Sequence, residues 1–384
     1  MLLDLAFWLA LVPVLGGSVF GVLAAAACLR FLRRSPATAA GTLPVTVLKP
    51  VYGLEDGLLE RLRSACRQDH SAFEVVFCVQ SPDDPALPLV RQVVAEFGPE
   101  RAVLALHDRA IGPNGKVNNL LGGLALARHD LLVISDSDVL LRPDYLSAIT
   151  APFANPAVGC VNTLFKVSGA RRWYEKLELL TINADFIPSV VFAWLTGASD
   201  FCLGPSVAIR RDVLARIGGL EALSEYLAED YEIGRRVPRS GSRFLLIPYI
   251  VDAEIELSGV AAWWRHQIYW DQNTRVAQPS GFLLTILTRA VPFALLATAV
   301  TGFSATGLTV LVAAFLIRLV TAAIALWALG DKEGLRCLYL LPLRDLIGLV
   351  TWALAFTDRT VTWRGVDYVL TGGGKMVVKS APVE

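Results

Sequence analysis

A chain of 384 residues is long enough for one large domain or two of ordinary size. Hydrophobic residues make up 54% of it and the mean hydropathy is +0.51, so part of its apolar surface is predicted to face lipid. The 35 basic and 35 acidic side chains cancel, which argues against the strongly basic surface of a nucleic-acid-binding protein.

The first predicted element is a membrane anchor at residues 1–34. No charged residue occurs from Leu5 to Leu29, which is the length that a spanning helix requires. Immediately after it come three arginines, Arg30, Arg33 and Arg34. In a signal peptide the positive charge precedes a shorter apolar core, so an uncleaved anchor is favoured over a signal peptide or a buried helix. The positive-inside rule then places the next segment in the cytoplasm.

Residues 44–280 show the pattern of an α/β domain, separated from the anchor by a linker rich in Pro, Ala and Thr at Ser35 to Leu43. The apolar runs VTVLKP, FEVVFCVQ, AVLALHD and LLVISDSD have the length of strands. Between them lie LLERLRSACRQ, ALPLVRQVVAEF and NNLLGGLALARH, which are amphipathic and have the length of helices. This alternation predicts a mostly parallel sheet with helices on both faces.

Residues 281–384 are predicted to form a C-terminal membrane region. From residue 290 to 330 the only charged residue is Arg318, and about 40 residues of this kind suit two antiparallel spanning helices. The next apolar stretch, Leu338 to Phe356, contains an adjacent arginine and aspartate, which are costly in the middle of a bilayer. An interfacial or re-entrant segment is therefore favoured over a third span.

Two carboxylates, Asp136 and Asp138, follow the apolar run LLVIS. Ligands of open α/β sheets bind outside the carboxyl ends of the strands, and like charges this close repel unless a cation neutralises them. Mg²⁺ or Mn²⁺ takes oxygen ligands and bridges to phosphate oxygens, so one of these ions is the predicted cofactor. A solvated acidic turn is the alternative, and the preceding apolar run favours the metal site.

Other polar residues stand at comparable places in the same domain. Asp83 and Asp84 end a predicted strand, where they are placed to grip a nucleotide; an ordinary Asp-Pro turn is the alternative. Asp230 opens a predicted helix, where the alternative is a charge that complements the helix dipole. Lys116 lies in a glycine turn within reach of a phosphate or a carboxylate, and Lys49 ends the first strand.

Seven ordered motifs resemble those of the ceramide glucosyltransferase-like enzymes, a membrane-bound glycosyltransferase family with a GT-A fold. They are KPVYGLED, FEVVFCVQSPDDPA, GKVNNL, ISDSD, GPSVAIRRDVLARIGGL, LAEDYEIGRR and RHQIYWDQNTR. The resemblance implies a Rossmann-like α/β catalytic domain between membrane helices. It also implies that Asp84 holds the uridine, that Asp136 lies near the metal and the diphosphate, and that Asp230 is the catalytic base.

The family's closing R/Q-x-x-R-W element is altered in this chain. In the matching register Trp270 is retained, whereas His266 and Tyr269 replace the two expected polar or basic residues. Arg265 and Arg275 are the candidates for the missing positive charge toward the diphosphate. The aromatic stretch AAWWRHQIYW suits either a membrane interface or packing within a helical core.

These departures make the chain most similar to the glycosyltransferases associated with hopanoid biosynthesis. That resemblance implies an inverting transfer of N-acetylglucosamine from UDP-GlcNAc to bacteriohopanetetrol, on the cytoplasmic side of a bacterial inner membrane. The alternative substrates are UDP-glucose and ceramide. The rival functions are a processive polysaccharide synthase, a dolichyl-phosphate sugar synthase and a membrane scaffold without catalysis; a transporter would need more spans.

Overall fold

The computed structural model describes residues 2–34, 42–198, 201–363 and 366–379. The chain forms two compact units. The sheet unit consists of Arg34–Ser168 and Gly197–Glu256, and the helical unit of Met1–Arg33, Gly169–Thr196 and Leu257–Glu384. Most of the predicted linker, at residues 35–41, lies outside the described residues. The linear domain boundaries at residues 34, 44 and 280 remain a prediction.

The secondary structure elements are numbered in chain order. The helices are α1 Leu2–Leu32, α2 Leu58–Cys66, α3 Leu87–Phe97, α4 Gly115–Leu126, α5 Tyr145–Thr150, α6 Trp173–Thr181, α7 Ile187–Thr196, α8 Arg211–Arg216, α9 Glu229–Arg239, α10 Val260–Ala277, α11 Pro279–Leu284, α12 Ala290–Val300, α13 Ala305–Ala328, α14 Lys332–Arg336 and α15 Leu341–Leu354. The strands are β1 Val45–Pro50, β2 Phe73–Val79, β3 Ala102–Leu106, β4 Leu131–Ser135, β5 Val139–Leu140, β6 Val158–Ser168, β7 Ser206–Arg210, β8 Arg243–Glu254, β9 Thr360–Trp363, β10 Val366–Leu370 and β11 Met376–Val378.

The sheet unit is built on an eight-stranded sheet in the order β3-β2-β1-β4-β7-β6-β8-β5. The first four strands of this order pair in parallel, as predicted, and every residue of β1, β2 and β4 is buried. Strand β7 is antiparallel to both of its neighbours, whereas β6 and β8 are parallel. Strands buried on both faces read as continuous apolar runs, which explains why the sequence located them well.

Among the described residues of the helical unit, three apolar helical segments are long enough to cross a bilayer, namely Leu3–Leu32, Trp173–Thr196 and Ala305–Ala328. The second consists of α6 and α7 joined by a π-helical turn at Ile182–Phe186. A fourth candidate is a pair of helical segments, Pro279–Thr288 and Ala290–Val300, bent by 52° at Arg289. This bent pair and α13 occupy the region where two antiparallel spans were predicted. The Trp173–Thr196 span was not predicted, because charged residues interrupt its sequence.

The C-terminal part of the helical unit ends in short elements. Helix α15, which carries Arg344 and Asp345, has 14 residues, fewer than a span requires. That this segment is interfacial or re-entrant stays a prediction. Both of these charged residues are buried. Strands β9, β10 and β11 then form an antiparallel sheet that the sequence did not predict.

Candidate active site

Lys49 supports the turn that carries the paired aspartates. Its side chain is fully buried at the end of β1, and Nζ donates to the carbonyl oxygens of Asp136, at 2.8 Å, and Val139, at 3.2 Å. Burial lowers the pKa of Lys49 to about 8, against the opposing effect of Asp138 and Asp136. In this arrangement the ammonium group fixes the backbone of the turn, so Lys49 is placed as a positioning residue.

The two predicted metal ligands lie in that turn. Strand β4 ends at Ser135, and the amide of Asp136 donates to the carbonyl oxygen of Pro205 at 3.2 Å. Residues 137 and 138 turn away from the strand direction. Atom Oδ1 of Asp138 is buried and has no hydrogen-bond partner within the described part of the chain. Burial, followed by the nearby charge of Asp136, raises the pKa of Asp138 to about 7.

Lys116 joins two of the acidic side chains. Its Nζ atom lies 2.6 Å from Oδ1 of Asp136 and 2.8 Å from Oε1 of Glu229. The other carboxylate oxygen of Glu229 accepts from Nδ2 of Asn114 at 3.0 Å. Burial acts to lower the pKa of Lys116, but Asp136 and Glu229 outweigh it and raise that pKa well above its ordinary value. Lys116 therefore remains an ammonium ion.

Asp230 lies in the first turn of α9, next to this cluster. A Cβ atom placed on Gly204 would lie 3.1 Å from Oδ2 of Asp230 and 3.8 Å from Oδ2 of Asp136. The two carboxylates thus approach the same point beside Gly204, a residue that sequence reasoning did not single out. Burial, followed by the charge of Glu229, raises the pKa of Asp230 to about 7. A carboxyl group with that pKa is suited to accept a proton near neutral pH.

Asp84 ties two loops of the same unit together. Its buried carboxylate accepts from the amide of Gly53 at 3.1 Å and from the amide of Ala86 at 2.8 Å, both to Oδ1. Asp83 beside it is exposed. An ionised carboxylate has about four acceptor positions, so Asp84 retains capacity for a ligand after making these bonds.

The acidic turn fits a divalent ion. Among the described residues, no group of three or more His, Cys, Asp and Glu side chains forms a complete metal site. Mg²⁺ is commonly held by one or two carboxylates together with waters and substrate phosphates. Asp136 and Asp138 supply such a pair, and the unpartnered Oδ1 of Asp138 is an oxygen that such an ion would satisfy. The predicted cofactor is therefore compatible with the residues present.

The altered closing element lies on α10 of the helical unit. Nδ1 of His266 is 3.0 Å from Oε1 of Glu178, and Nε1 of Trp270 donates to Nε2 of His266 at 3.0 Å. Gln267 also donates to the Glu178 carboxylate. The Tyr269 ring stacks on the imidazole. Both imidazole nitrogens are therefore engaged within the helical unit, and Glu178, which the sequence did not indicate, organises the element.

The two arginines predicted to replace the missing charge are placed differently. Arg265 is exposed on α10. Arg275 donates to the carbonyl oxygen of Asp358 at 3.1 Å, and its guanidinium lies over the Phe356 ring. Arg275 is thus engaged by the C-terminal part of the helical unit. Of the nearby aromatic residues, Trp263 is buried in a helical core, as the packing alternative expected.

Gly204 provides a test of the geometry around Asp230. We expect Gly204→Ala to lower turnover about tenfold to a hundredfold, because the added methyl group displaces the Asp230 carboxylate, and small misplacements have effects of this size. Steady-state turnover measures the effect. Gly372→Ala is the matched control, since its Cβ would meet open space. Equal turnover of both variants would show that Gly204 does not define the position of Asp230.

Comparison with known proteins assigns the chain to a class and then to a family. The fold is that of GT-A proteins. The sequence pattern of glycosyl transferase family 21 matches residues 12–376, and the chain belongs to that family. Ceramide glucosyltransferase 1 of Caenorhabditis elegans is 28% identical over 205 residues, which are 53% of this chain and 44% of the relative. Ceramide glucosyltransferase of Komagataella phaffii is 33% identical over 107 residues, which are 27% of this chain and 21% of the relative.

The chain thus spans less than half the length of these curated relatives. Among solved structures, it resembles mannosyltransferase PcManGT of Pyrobaculum calidifontis, whose structure contains GDP-Man and Mn²⁺. The TM-score is 0.54 at 20% identity, with 91% of this chain and 99% of that chain covered. This likeness confirms the predicted GT-A fold.

Proposed function

We propose that the chain is an inverting membrane glycosyltransferase that transfers a sugar from a UDP-sugar to a lipid hydroxyl. The observation that carries the proposal is that the carboxylates of Asp230 and Asp136 both lie close to the Cβ position of Gly204, with Lys116 holding Asp136. Membership of family 21 supports it, as do relatives named ceramide glucosyltransferase. A scaffold without catalysis has no need for a buried carboxyl group poised to titrate near neutral pH.

The reaction follows from the roles of these side chains. Asp230 accepts the proton of the acceptor hydroxyl while the hydroxyl oxygen bonds to the anomeric carbon of the donor. The bond from that carbon to the diphosphate oxygen breaks at the same time, UDP leaves with the bonding electrons, and a single displacement inverts the configuration. Asp136 and Asp138 would hold a divalent ion, which would neutralise the charge of the diphosphate. Lys116 and Lys49 keep Asp136 in its position.

The specific substrates proposed are UDP-GlcNAc and bacteriohopanetetrol. The altered closing element supports this choice over UDP-glucose and ceramide, because it departs from the ceramide enzymes at His266 and Tyr269. It also disfavours a processive polysaccharide synthase. We further propose a multi-pass location in a bacterial inner membrane with the sheet unit in the cytoplasm, supported by the arginines that follow α1.

The proposal is tested with the full chain purified in detergent. Each donor, UDP-GlcNAc or UDP-glucose, is combined with each acceptor, bacteriohopanetetrol or ceramide, with Mn²⁺ and with EDTA. We expect a mass increase of one N-acetylhexosamine on the hopanoid, and none in EDTA. A hexose on ceramide would reverse the substrate assignment and leave the reaction class intact. No product from any pair, with UDP also failing to bind, would favour the scaffold.

The pKa of Asp230 predicts a pH dependence. The base must be ionised to accept a proton, so kcat/KM should be constant above pH 7 and fall tenfold per pH unit well below it. Initial rates between pH 5 and 9, in buffers of constant ionic strength, measure this limb. If kcat/KM instead fell with an apparent pKa near 4, the group that controls activity would be an ordinary exposed carboxylate.

A further inference from the structure

Arg289 lies at an unusual place in the helical unit, at the bend between the segments Pro279–Thr288 and Ala290–Val300. A Cβ on Gly17 would lie 2.6 Å from the carbonyl oxygen of Thr288 and 2.8 Å from the amide of Ala290. Gly17 is the middle residue of α1, about 22 Å from either end at 1.5 Å per residue. The backbone on both sides of Arg289 therefore packs closely against the middle of α1.

The guanidinium of Arg289 forms no ion pair in the described part of the chain. Among the described residues its buried Nε atom has no hydrogen-bond partner, and no carboxylate oxygen lies within 4.0 Å of the group. A charge held among apolar helices is costly unless it is paired, and such residues commonly mark a binding site.

A second guanidinium, that of Arg344, approaches the same point. A Cβ on Gly348 would contact Nη1 of Arg289 and would lie 3.7 Å from Nη1 of Arg344. Because Gly348 has no side chain, the guanidinium groups of Arg289 and Arg344 have space to approach each other beside it. Like charges this close repel, which an anion between them would reverse.

Two other arginines of this region are already paired. Arg318 donates to Asp185 at 2.6 Å and to Asp345 at 3.0 Å, and Arg344 forms ion pairs with the same two carboxylates. Arg289 stands outside this network of two arginines and two aspartates. Asp271 of α10 interacts with Arg289 electrostatically, but the two form no ion pair within 4.0 Å among the described residues.

We propose that Arg289 and Arg344 form a binding site for a phosphate group in the helical unit. Arginine presents several N–H donors in a planar fork that matches phosphate oxygens, and the buried Nε donor of Arg289 has no partner among the described residues. Helix α12 begins at Ala290, so the positive end of its dipole adjoins the site. The phosphate belongs either to an anionic phospholipid or to a nucleotide. The proposal does not depend on catalysis.

The two sources are distinguished by binding experiments on the full chain in detergent. Native mass spectrometry measures retention of dioleoyl-phosphatidylglycerol, with dioleoylglycerol as the matched lipid that lacks phosphate. Calorimetry measures the affinity for UDP with Mn²⁺. We expect Arg289→Gln to weaken one of these phosphate ligands at least tenfold, and Arg289→Lys to weaken it less. The exposed Arg336→Gln is the control for loss of one arginine from the same unit.

Weaker phosphatidylglycerol retention with unchanged dioleoylglycerol retention assigns the site to a lipid, and weaker UDP binding assigns it to a nucleotide. Gly348→Ala keeps both charges but displaces the Arg289 guanidinium, so it should weaken the same ligand even if Arg289→Gln fails to fold. Unchanged binding of both ligands in a folded Arg289→Gln variant, or in Gly348→Ala if Arg289→Gln fails to fold, would overturn the proposal.

Discussion

Replacing Asp230 with Asn is expected to lower turnover about a hundredfold to ten-thousandfold, the usual size of a general-base effect. Asn keeps the size of the side chain but cannot take the proton of the acceptor hydroxyl. The effect should appear in kcat with saturating donor and acceptor, because the substrates still bind. Initial rates of lipid product formation, followed by mass, measure it.

The same variant separates a chemical role from a structural one. In the unfolded chain the pKa of an aspartate is about 3.9, whereas burial raises that of Asp230 to about 7, so the folded state binds more protons between these values. The contribution of Asp230 to stability therefore declines as pH rises from about 4 to 7. Asp230→Asn should melt at or above the wild-type temperature at pH 8, and the difference should shrink near pH 5.

Asp212→Asn is the matched control for this experiment. Asp212 lies on α8 of the same unit and pairs with Arg216 at the surface, so its loss should leave turnover unchanged. An Asp230→Asn enzyme with turnover near wild type would remove Asp230 from the role of base. Loss of turnover together with a lower melting temperature at pH 8 would instead indicate that Asp230 maintains the fold.

The sequence predicted the first half of the sheet unit closely because its strands are short apolar runs between amphipathic helices. Strands β1, β2, β3 and β4 all begin where the corresponding runs begin. The second half was harder to predict, because β7 runs antiparallel between β4 and β6, and β5 pairs with β8 from far along the chain. Such pairings depend on contacts between distant residues, which local hydrophobic periodicity does not contain.

The residues of the candidate site were likewise only partly predicted from the sequence. Acidic residues after apolar runs, such as Asp136 and Asp138, can be recognised in the sequence because a charged residue next to a buried strand is exceptional. Gly204 and Glu178 gave no such signal, because a glycine is common in loops and a single glutamate is common in helices. Their importance arises from what the fold places beside them, namely two carboxylates around Gly204 and an imidazole at Glu178.

Replacing Lys116 with Met is expected to have the second large effect, on both stability and pH dependence. It leaves Asp136 and Glu229 without their shared cation, and breaking a buried pair from one side typically costs 3–5 kcal/mol. Because the Asp136 side chain is 27% exposed, we expect about 2–4 kcal/mol here. In thermal unfolding experiments in detergent, we expect the melting temperature to fall by about 5–15 °C. The control variant Lys332→Met replaces an exposed lysine and should leave the melting temperature unchanged.

The pH profile of the same variant tests how Lys116 acts on the base. Lys116 lowers the pKa of Asp230, in opposition to burial and Glu229, so its removal should raise that pKa further. The limb of kcat/KM near pH 7 should then move to higher pH, and activity at pH 7 should fall more than activity at pH 9. Lys116→Arg keeps the charge and should restore the limb. A variant that is only less stable would lose activity equally at both pH values. If the pH at which kcat/KM falls did not change, Lys116 would hold the turn without changing the pKa of Asp230.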